Sequence, residues 1–266
     1  MTFSDRYGPW AVITGASEGT GASFARQLAA QGIRSVLIAR REGPLAQLKQ
    51  EILDEHGVEC VTATVDLAAA DAADAVVRAA GDREVGLLIT NAGADGNGSP
   101  FLDADLSAWN KLVNLNVVTT MALSHHFGRK MRERGRGGII LVGSGACYGG
   151  IGGIAVYTAS KAFDQCFAES LWAELRPHGV DVLNLVLGRT DTPAHRELME
   201  RLGMPIPDGM ASADDVATLG LERLPHGPVQ NWGQADDQPG FLSTSAAQRR
   251  ERVLALSGTA PSQQKQ

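Results

Sequence analysis

A tyrosine and a lysine four residues apart carry the clearest chemical signal in this sequence. Tyr157 and Lys161 lie in a run that predicts a helix over residues 157–177, so both side chains share one helix face. A free tyrosine has a pKa of about 10, too high for efficient acid–base chemistry near neutral pH. Because a nearby ammonium group favours the phenolate, the pair predicts a proton donor and acceptor, unless the spacing is a surface coincidence.

Two further polar residues belong to the same candidate site. Ser144 ends an apolar run that predicts a strand, and its hydroxyl is suited to holding a substrate oxygen. Asn116 lies among apolar neighbours in a predicted helix over residues 106–134. It is either a hydrogen-bonded core amide or the anchor of a water chain that leads to Lys161.

A glycine-rich turn between the first predicted strand and the next helix predicts a phosphate site, although a plain tight turn is the alternative. Its glycines let the backbone turn sharply beside a pyrophosphate, and the helix N-terminus offers free N–H groups. The glycine spacing differs from the general dinucleotide fingerprint. The expected contacts are Gly15, Ser17, Glu18, Gly19, Thr20 and Gly21.

The end of the second predicted strand indicates which dinucleotide binds. An acidic residue there would bind a ribose 2′-OH, whereas arginine accommodates a 2′-phosphate. Arg40 and Arg41 stand at this place, and arginine binds phosphate through paired hydrogen bonds. We therefore expect NADP(H) to be preferred over NAD(H), although Glu18 opposes a 2′-phosphate and two solvated arginines are the alternative.

Residues after the third and fourth predicted strands extend this site. Asp66, followed by Leu67, is placed to meet the adenine amino group. Asn91, Ala92 and Gly93 follow the fourth strand and are expected to pack beside the cofactor. Open α/β sheets bind ligands at the carboxyl ends of their strands, where all these residues fall.

The elements that must position these residues alternate along the chain. Short apolar runs are continuous and rich in β-branched residues, which is typical of strands buried on both faces. Their alternation with amphipathic runs predicts an α/β fold with a parallel sheet and helices on both faces. The predicted strands cover residues 10–14, 35–39, 59–65, 85–90, 138–144 and 180–187, and the predicted helices cover residues 20–31, 44–56, 69–80, 106–134 and 157–177.

The chain shows no internal repeat and no linker, so a single domain over residues 1–266 is expected, with its core over residues 7–232. The looser region over residues 189–212 includes a short predicted helix over 192–202, and Ser212 predicts a helix N-cap. Residues 229–232 are a candidate edge strand. The polar tail over residues 258–266 is expected to be frayed.

Composition excludes several classes of protein. The 31 glycines among 266 residues show no tripeptide period, and 44% hydrophobic content argues against disorder. A net charge of −6 opposes nucleic acid or an anionic membrane as a partner, and no apolar run reaches the length of a membrane span. Three cysteines without ligand spacing predict no metal site, and the absence of a signal-peptide pattern predicts a cytoplasmic protein.

Taken in order, the glycine loop, the run Asn91–Ala92–Gly93, Asn116, Ser144 and the Tyr157–Lys161 pair resemble the short-chain dehydrogenase/reductase family. The likeness covers roughly residues 7–192 and extends weakly to 232. It implies a Rossmann-type, doubly wound parallel sheet of about seven strands and reversible carbonyl/alcohol oxidoreduction. The runs over residues 7–11, 39–41 and 187–190 are most similar to bacterial NADP-dependent 7β-hydroxysteroid dehydrogenases and to the 3-ketoacyl-CoA reductase/17β-hydroxysteroid dehydrogenase branch.

The resemblance also implies roles for individual residues. Tyr157 would be the acid in reduction and the base in oxidation, and Ser144 would orient the carbonyl. Lys161 would bind the nicotinamide ribose and lower the Tyr157 pKa, while Asn116 would hold a relay water. The segment expected to touch the nicotinamide amide supplies Gly188, Thr190 and Thr192. Family members commonly form homodimers or homotetramers through their two long helices. Departures from the family pattern include Gly143 in place of a usual serine and Leu187 in place of a usual proline.

The segments expected to wall the substrate pocket, residues 95–98, 145–150 and 189–210, carry few charges. The expected lining is Gly145, Cys147, Tyr148, Ile151, His195, Met199 and Leu202. This lining favours a bulky hydrophobic secondary alcohol or ketone, above all a hydroxysteroid, although Met199 and Leu202 are equally suited to a helix core and His195 to a solvated loop. One alternative is a 3-oxoacyl thioester reductase, for which a CoA or acyl-carrier partner would favour a basic rim. Another is a non-catalytic NADP(H) sensor or scaffold, which would need no Tyr–Lys pair.

Overall fold

The structure, a computed structural model, describes residues 2–93, 98–201 and 203–234. The strands are β1 (Trp10–Thr14), β2 (Arg34–Ala39), β3 (Cys60–Thr64), β4 (Val85–Thr90), β5 (Gly137–Ser144), β6 (Val180–Leu187), β7 (Thr190–Asp191), β8 (Ala211–Ser212) and β9 (Val229–Asn231). The helices are α1 (Phe3–Tyr7), α2 (Gly19–Ala30), α3 (Glu42–His56), α4 (Ala72–Ala80), α5 (Leu106–Val113), α6 (Thr119–Arg134), α7 (Ala155–Leu175), α8 (Pro193–Arg201) and α9 (Ala213–Arg223). A π-helical turn, Asn114–Val118, joins α5 to α6, and a 3₁₀ turn, Gly145–Tyr148, follows β5.

Seven strands form one parallel sheet in the order β3-β2-β1-β4-β5-β6-β9. The chain runs outward from β1 to β3 and then returns to place β4 on the other side of β1. This reversal opens a crevice at the carboxyl ends of β1 and β4, where Thr14 and Thr90 are paired. Ser144 pairs with Leu187 at the same edge, so residues distant in sequence meet there.

Apolar side chains cover both faces of this sheet. On one face, α2, α3 and α9 contribute residues such as Phe24, Leu45 and Val216, and on the other, α4, α6 and α7 contribute residues such as Phe127 and Leu175. The prediction of strands buried on both faces is confirmed for β1, β4 and the inner strands. It is wrong for β3, where Cys60 is the only buried residue, because β3 lies at the edge of the sheet.

The predicted helix over residues 106–134 is wrong as one continuous α-helix. The π-helical turn interrupts it at Asn114–Val118, without the glycine or proline that would mark a break in the sequence. The helix predicted from residue 69 begins only at Ala72. The N-cap prediction is confirmed, since Ser212 Oγ accepts a hydrogen bond from Asp215 N at 3.0 Å.

The remaining predicted elements are also found. The short helix and the edge strand are α8 and β9, and β7 pairs with β8 in a second, two-stranded sheet that holds the chain after β6. The tail over residues 258–266 lies outside the described residues. In the part of the chain that the structure describes, no helix is both long and apolar enough to cross a membrane.

Candidate active site

The glycine loop after β1 has a backbone path that other residues would obstruct. Gly15 and Gly19 have φ of +66° and +54°, in the left-handed region that favours glycine. A Cβ at Gly21 would lie 2.3 Å from the carbonyl oxygen of Gly15. The loop can therefore turn directly into α2 because side chains are absent at these positions.

Asn91 and Ala92, which follow β4, hold this loop in place. Asn91 Nδ2 donates to the carbonyl oxygens of Thr14 at 3.2 Å and Gly15 at 3.1 Å. The backbone N–H groups of Asn91 and Ala92 both donate to Thr14 Oγ1. The Asn91 side chain therefore holds the start of the glycine loop through its backbone carbonyl groups. The sequence pattern did not specify this contact.

The N-terminus of α2 fits a bound pyrophosphate. Its N-cap residue, Glu18, makes no side-chain capping bond, so the first-turn N–H groups of residues such as Thr20 and Gly21 stay available to an anion. Ser17 is half-buried at the turn into this helix. The cofactor itself would supply or accept the hydride of an alcohol–carbonyl exchange.

The segment after β6 returns to the glycine loop. A Cβ at Gly19 would lie 2.9 Å from Thr192 Cγ2, so the two segments are in close contact. Thr192 Oγ1 accepts a hydrogen bond from His195 N at the start of α8. Thr190 of β7 pairs with Ala211 of β8. Gly188 is exposed in the short connection between β6 and β7.

The two arginines after β2 differ in their surroundings. Arg41 forms an ion pair with Glu18 of the glycine loop. Arg40 is exposed, and among the described residues it makes no ion pair or side-chain hydrogen bond. A 2′-phosphate at this place would therefore find one guanidinium open and the other already bound to a carboxylate.

The residues predicted beside the adenine lie beyond β3. Asp66 is exposed, and its Oδ1 accepts a hydrogen bond from Ala68 N at 3.1 Å. Leu67 is buried, and its carbonyl oxygen accepts from Thr119 Oγ1. The contact ties this end of the sheet to the start of α6.

Ser144 and Tyr157 lie on two elements that pack together. Ser144 ends β5 and is half-buried, with its Oγ accepting a hydrogen bond from Ala146 N at 3.2 Å. Tyr157 lies in the first turn of α7, is also half-buried, and α7 packs against the Gly145–Tyr148 turn. Both side chains thus remain accessible at the carboxyl edge of the sheet.

Lys161 is buried one helical turn beyond Tyr157. Its Nζ donates to the Val142 carbonyl oxygen at 2.9 Å and to Asp164 Oδ2 at 3.0 Å. Burial acts to lower the pKa of Lys161, but the charges of Asp164 and Tyr157 outweigh it and raise that pKa above its usual value. Sequence reasoning missed Asp164, although its place three residues after Lys161 on one helix was a readable signal.

Asn116 joins this group through the π-helical turn. Its Nδ2 donates to Ser160 Oγ at 2.9 Å, while its buried Oδ1 has no hydrogen-bond partner in the described chain. A Cβ at Gly93 would lie 3.1 Å from Lys161 Nζ and 3.2 Å from Asn116 Oδ1, so both atoms border one space. The nitrogen of the Asn116 amide is thus hydrogen-bonded within the core, and its oxygen remains able to accept a hydrogen bond from a water molecule or a hydroxyl group.

The residues predicted to line the substrate pocket are only partly open. Gly145, Cys147 and Ile151 are half-buried on the stretch that follows Ser144. Tyr148 is buried, and its hydroxyl donates to Asn231 Oδ1 at 2.5 Å, which fixes the turn to β9. Met199 is buried on α8. Leu202 and residues 95–97 lie outside the described residues.

His195 is not a freely solvated loop residue. It is half-buried, and its Nε2 is enclosed without a hydrogen-bond partner in the described residues. Burial, with a contribution from the charge of Arg189, lowers its pKa and favours the neutral imidazole. No cluster of three or more potential metal-ligating side chains occurs among the described residues.

Comparison with known proteins identifies relatives that match most of the chain. The chain is 32% identical over 193 residues to 7beta-hydroxysteroid dehydrogenase of Clostridium sardiniense, covering 73% of this chain and 74% of the relative. It is 30% identical over 223 residues to human very-long-chain 3-oxoacyl-CoA reductase, covering 83% and 71%. A solved short-chain dehydrogenase from Sphingobium yanoikuyae in complex with NADPH superposes with a TM-score of 0.77, at 27% identity, over 97% of this chain and 98% of that one.

The family model for short chain dehydrogenase matches residues 9–203, which is well over half of the chain. This span includes β1 to β6, the glycine loop and all four residues predicted for catalysis. With the seven-stranded parallel sheet and the relatives above, the match shows an oxidoreductase that acts on CH–OH donors. The chain belongs to the short-chain dehydrogenase family.

Proposed function

We propose that the protein interconverts a bulky hydrophobic secondary alcohol and its ketone with NADP(H), and that this substrate is a hydroxysteroid. The observations that carry the reaction are that Lys161 Nζ and Asn116 Oδ1 border one space, and that Ser144 and Tyr157 are half-buried on β5 and α7, which pack together. The similarity to a 7beta-hydroxysteroid dehydrogenase supports the substrate class.

In the proposed mechanism Tyr157 moves the proton. Its phenol gives a proton to the carbonyl oxygen during reduction and takes the hydroxyl proton during oxidation. Ser144 Oγ holds that oxygen by a hydrogen bond. The buried Lys161 ammonium stabilises the phenolate, and Asn116 Oδ1 holds a water that connects Lys161 with solvent.

The residues expected to wall the substrate pocket are mostly apolar, which supports a large hydrophobic substrate. Cys147 and Ile151 are half-buried on the stretch after β5, and Met199, whose side chain adapts to irregular shapes, is buried on α8. Such a site, apolar with few polar contacts, is typical of steroid-sized ligands.

The decisive experiment removes the Tyr157 hydroxyl. Tyr157→Phe is expected to lower kcat for alcohol oxidation by at least about 100-fold, because general acid–base catalysis contributes that much. NADPH affinity, followed by its fluorescence, is expected to remain. Tyr7→Phe is the control, since it removes a buried hydroxyl that bonds Asp181 at the opposite edge of the sheet. Turnover retained by Tyr157→Phe would contradict the assigned role.

A second candidate substrate is a 3-oxoacyl thioester, favoured by the similarity to the human 3-oxoacyl-CoA reductase. A panel of 7-ketosteroids, 3-oxoacyl-CoA and aryl ketones, each with NADPH and with NADH, separates the candidates. We expect saturation by a 7-ketosteroid with NADPH. Preference for the thioester would establish the second candidate, and NADPH binding without oxidation by any ketone would favour a sensor.

A further inference from the structure

A buried carboxylate without a role in the mechanism above lies beside Lys161. Asp164 follows Lys161 by three residues on α7, so the two side chains leave neighbouring points of one helix face. Asp164 Oδ2 is 3.0 Å from Lys161 Nζ, and both side chains are only 5% exposed. A carboxylate this deeply buried is rarely tolerated without an opposite charge beside it.

The hydrogen bonding of the Asp164 carboxylate involves Lys161. Within the described residues, its Oδ1 has no hydrogen-bond partner and its Oδ2 accepts from Lys161 Nζ. The carboxylate therefore does not bridge strands or cap a helix. Its interaction with the ammonium group is the one that a substitution at this position would remove.

Asp164 also accepts a hydrogen bond from one of the three N–H groups of the Lys161 ammonium. An ammonium has three N–H donors, of which Val142 O and Asp164 Oδ2 take two. The third remains for the space that Gly93 and Asn116 Oδ1 border. The other titratable groups that act on Lys161 are Tyr157 on the same helix and Cys147 on the turn after β5.

We propose that Asp164 is a positioning residue that keeps the Lys161 ammonium charged and fixed beside Tyr157. The inference rests on the acid–base roles proposed for Tyr157 and Lys161, through which Asp164 acts. Burial by itself favours a neutral amine, and the carboxylate opposes that loss of charge. The charged ammonium then stabilises the Tyr157 phenolate when this residue acts as the base in alcohol oxidation.

The first test compares pH profiles of oxidation of a 7β-hydroxysteroid with NADP⁺. Asp164→Asn keeps an oxygen for the Lys161 hydrogen bond but removes the charge. We expect its kcat/KM to decline at alkaline pH at least about one pH unit earlier than in the unsubstituted protein. Asp164→Glu, which restores the charge, should recover part of that difference. A profile lowered by one constant factor at every pH would overturn the proposal.

Asp181→Asn is the matched control. Asp181 is also buried, but its partners are Tyr7 and Arg6 at the opposite end of β6. This variant should lose stability without any change in the shape of the pH profile. An equal alkaline shift in Asp181→Asn would make the effect one of general destabilisation and would also overturn the proposal.

A second test needs no substrate. Urea unfolding of Lys161→Met, Asp164→Asn and the double variant forms a double-mutant cycle. Lys161→Met leaves a charged carboxylate buried and unpaired. Its ratio of folded to unfolded protein should therefore be about tenfold lower than that of the double variant, in which the carboxylate is also removed. An unpaired buried Asp164 binds protons more readily when folded, so Lys161→Met should regain stability as pH falls.

The two tests separate the two proposals. If the unsubstituted protein oxidises no hydroxysteroid, the substrate proposal fails. The unfolding cycle then still decides whether Asp164 and Lys161 form a charged pair. A Lys161→Met variant that does not fold at neutral pH while the double variant folds would support the pairing. If the two substitutions lower the free energy of unfolding additively, and the stability of Lys161→Met does not change with pH, the proposed pairing of Asp164 with Lys161 is refuted.

Discussion

At the scale of single residues, Gly143 shows how one buried neighbour dictates another position. A Cβ at Gly143 would lie 2.3 Å from Asn184 Oδ1, and Asn184 is fully buried on β6. Asn184 Nδ2 donates to Gln165 Oε1 on α7, so the amide cannot easily move away. The glycine that departs from the family pattern is thus required by the asparagine beside it.

We therefore expect Gly143→Ala to lower the free energy of unfolding by about 1–3 kcal/mol, as overpacking does in a dense core. The double variant Gly143→Ala/Asn184→Ala should recover part of this loss, because the second change opens space for the added methyl group. Urea unfolding of the single and double variants measures the coupling. Strictly additive effects would show that the two positions do not compete for space.

At the scale of elements, the junction of α2 with the end of β2 sets the electrostatics of the cofactor site. Glu18 precedes the first turn of α2 and forms an ion pair with Arg41. The pair occupies the place at which a 2′-phosphate is expected to bind. Its carboxylate would repel such a phosphate, and it engages a guanidinium that would otherwise attract the phosphate.

Glu18→Gln is accordingly expected to tighten NADP⁺ binding by about two- to fivefold, the size of a partly exposed charge interaction. NAD⁺ affinity should change little, because NAD⁺ lacks the 2′-phosphate. Calorimetric titration of both cofactors measures the ratio. Glu51→Gln, which breaks the exposed Arg26 pair elsewhere, is the control. Weaker NADP⁺ binding by Glu18→Gln would contradict a competing role for this carboxylate.

At the scale of the whole molecule, the α5–α6 region leaves apolar surface uncovered. Leu106 is 67% exposed, and Val118 and Met121, three residues apart near the start of α6, are 41% and 45% exposed. Exposed apolar groups of this kind mark contact surfaces when they are contiguous. Together with the family resemblance, they favour a homo-oligomer formed through these helices.

Met121→Glu is expected to weaken self-association at least about tenfold, because it places an unpaired charge in a desolvated contact. Sedimentation velocity at several protein concentrations measures the change. Leu53→Glu on α3 is the matched control, since Leu53 is 45% exposed on another part of the surface. Equal sedimentation of Met121→Glu and the unsubstituted protein would exclude Met121 from the interface.

The sequence by itself determined the features that depend on local pattern. Apolar runs alternating with amphipathic runs predicted the strands and helices of a parallel sheet, because burial on two faces requires continuous apolar strands. The glycine loop and the Tyr157–Lys161 spacing identified the chemistry, since turns and helix faces involve residues close together in the chain. The Asp164–Lys161 pair was equally local and was overlooked.

Only the tertiary structure decided how separate elements adjust to one another. The ion pair of Glu18 with Arg41, the fit of Gly143 to Asn184 and the hold of Asn91 on the glycine loop all join different elements. The π-helical turn at Asn116 has no local marker, and it places the amide against Ser160 on α7. Such contacts depend on where the sheet brings distant segments together, which no periodicity within one segment encodes.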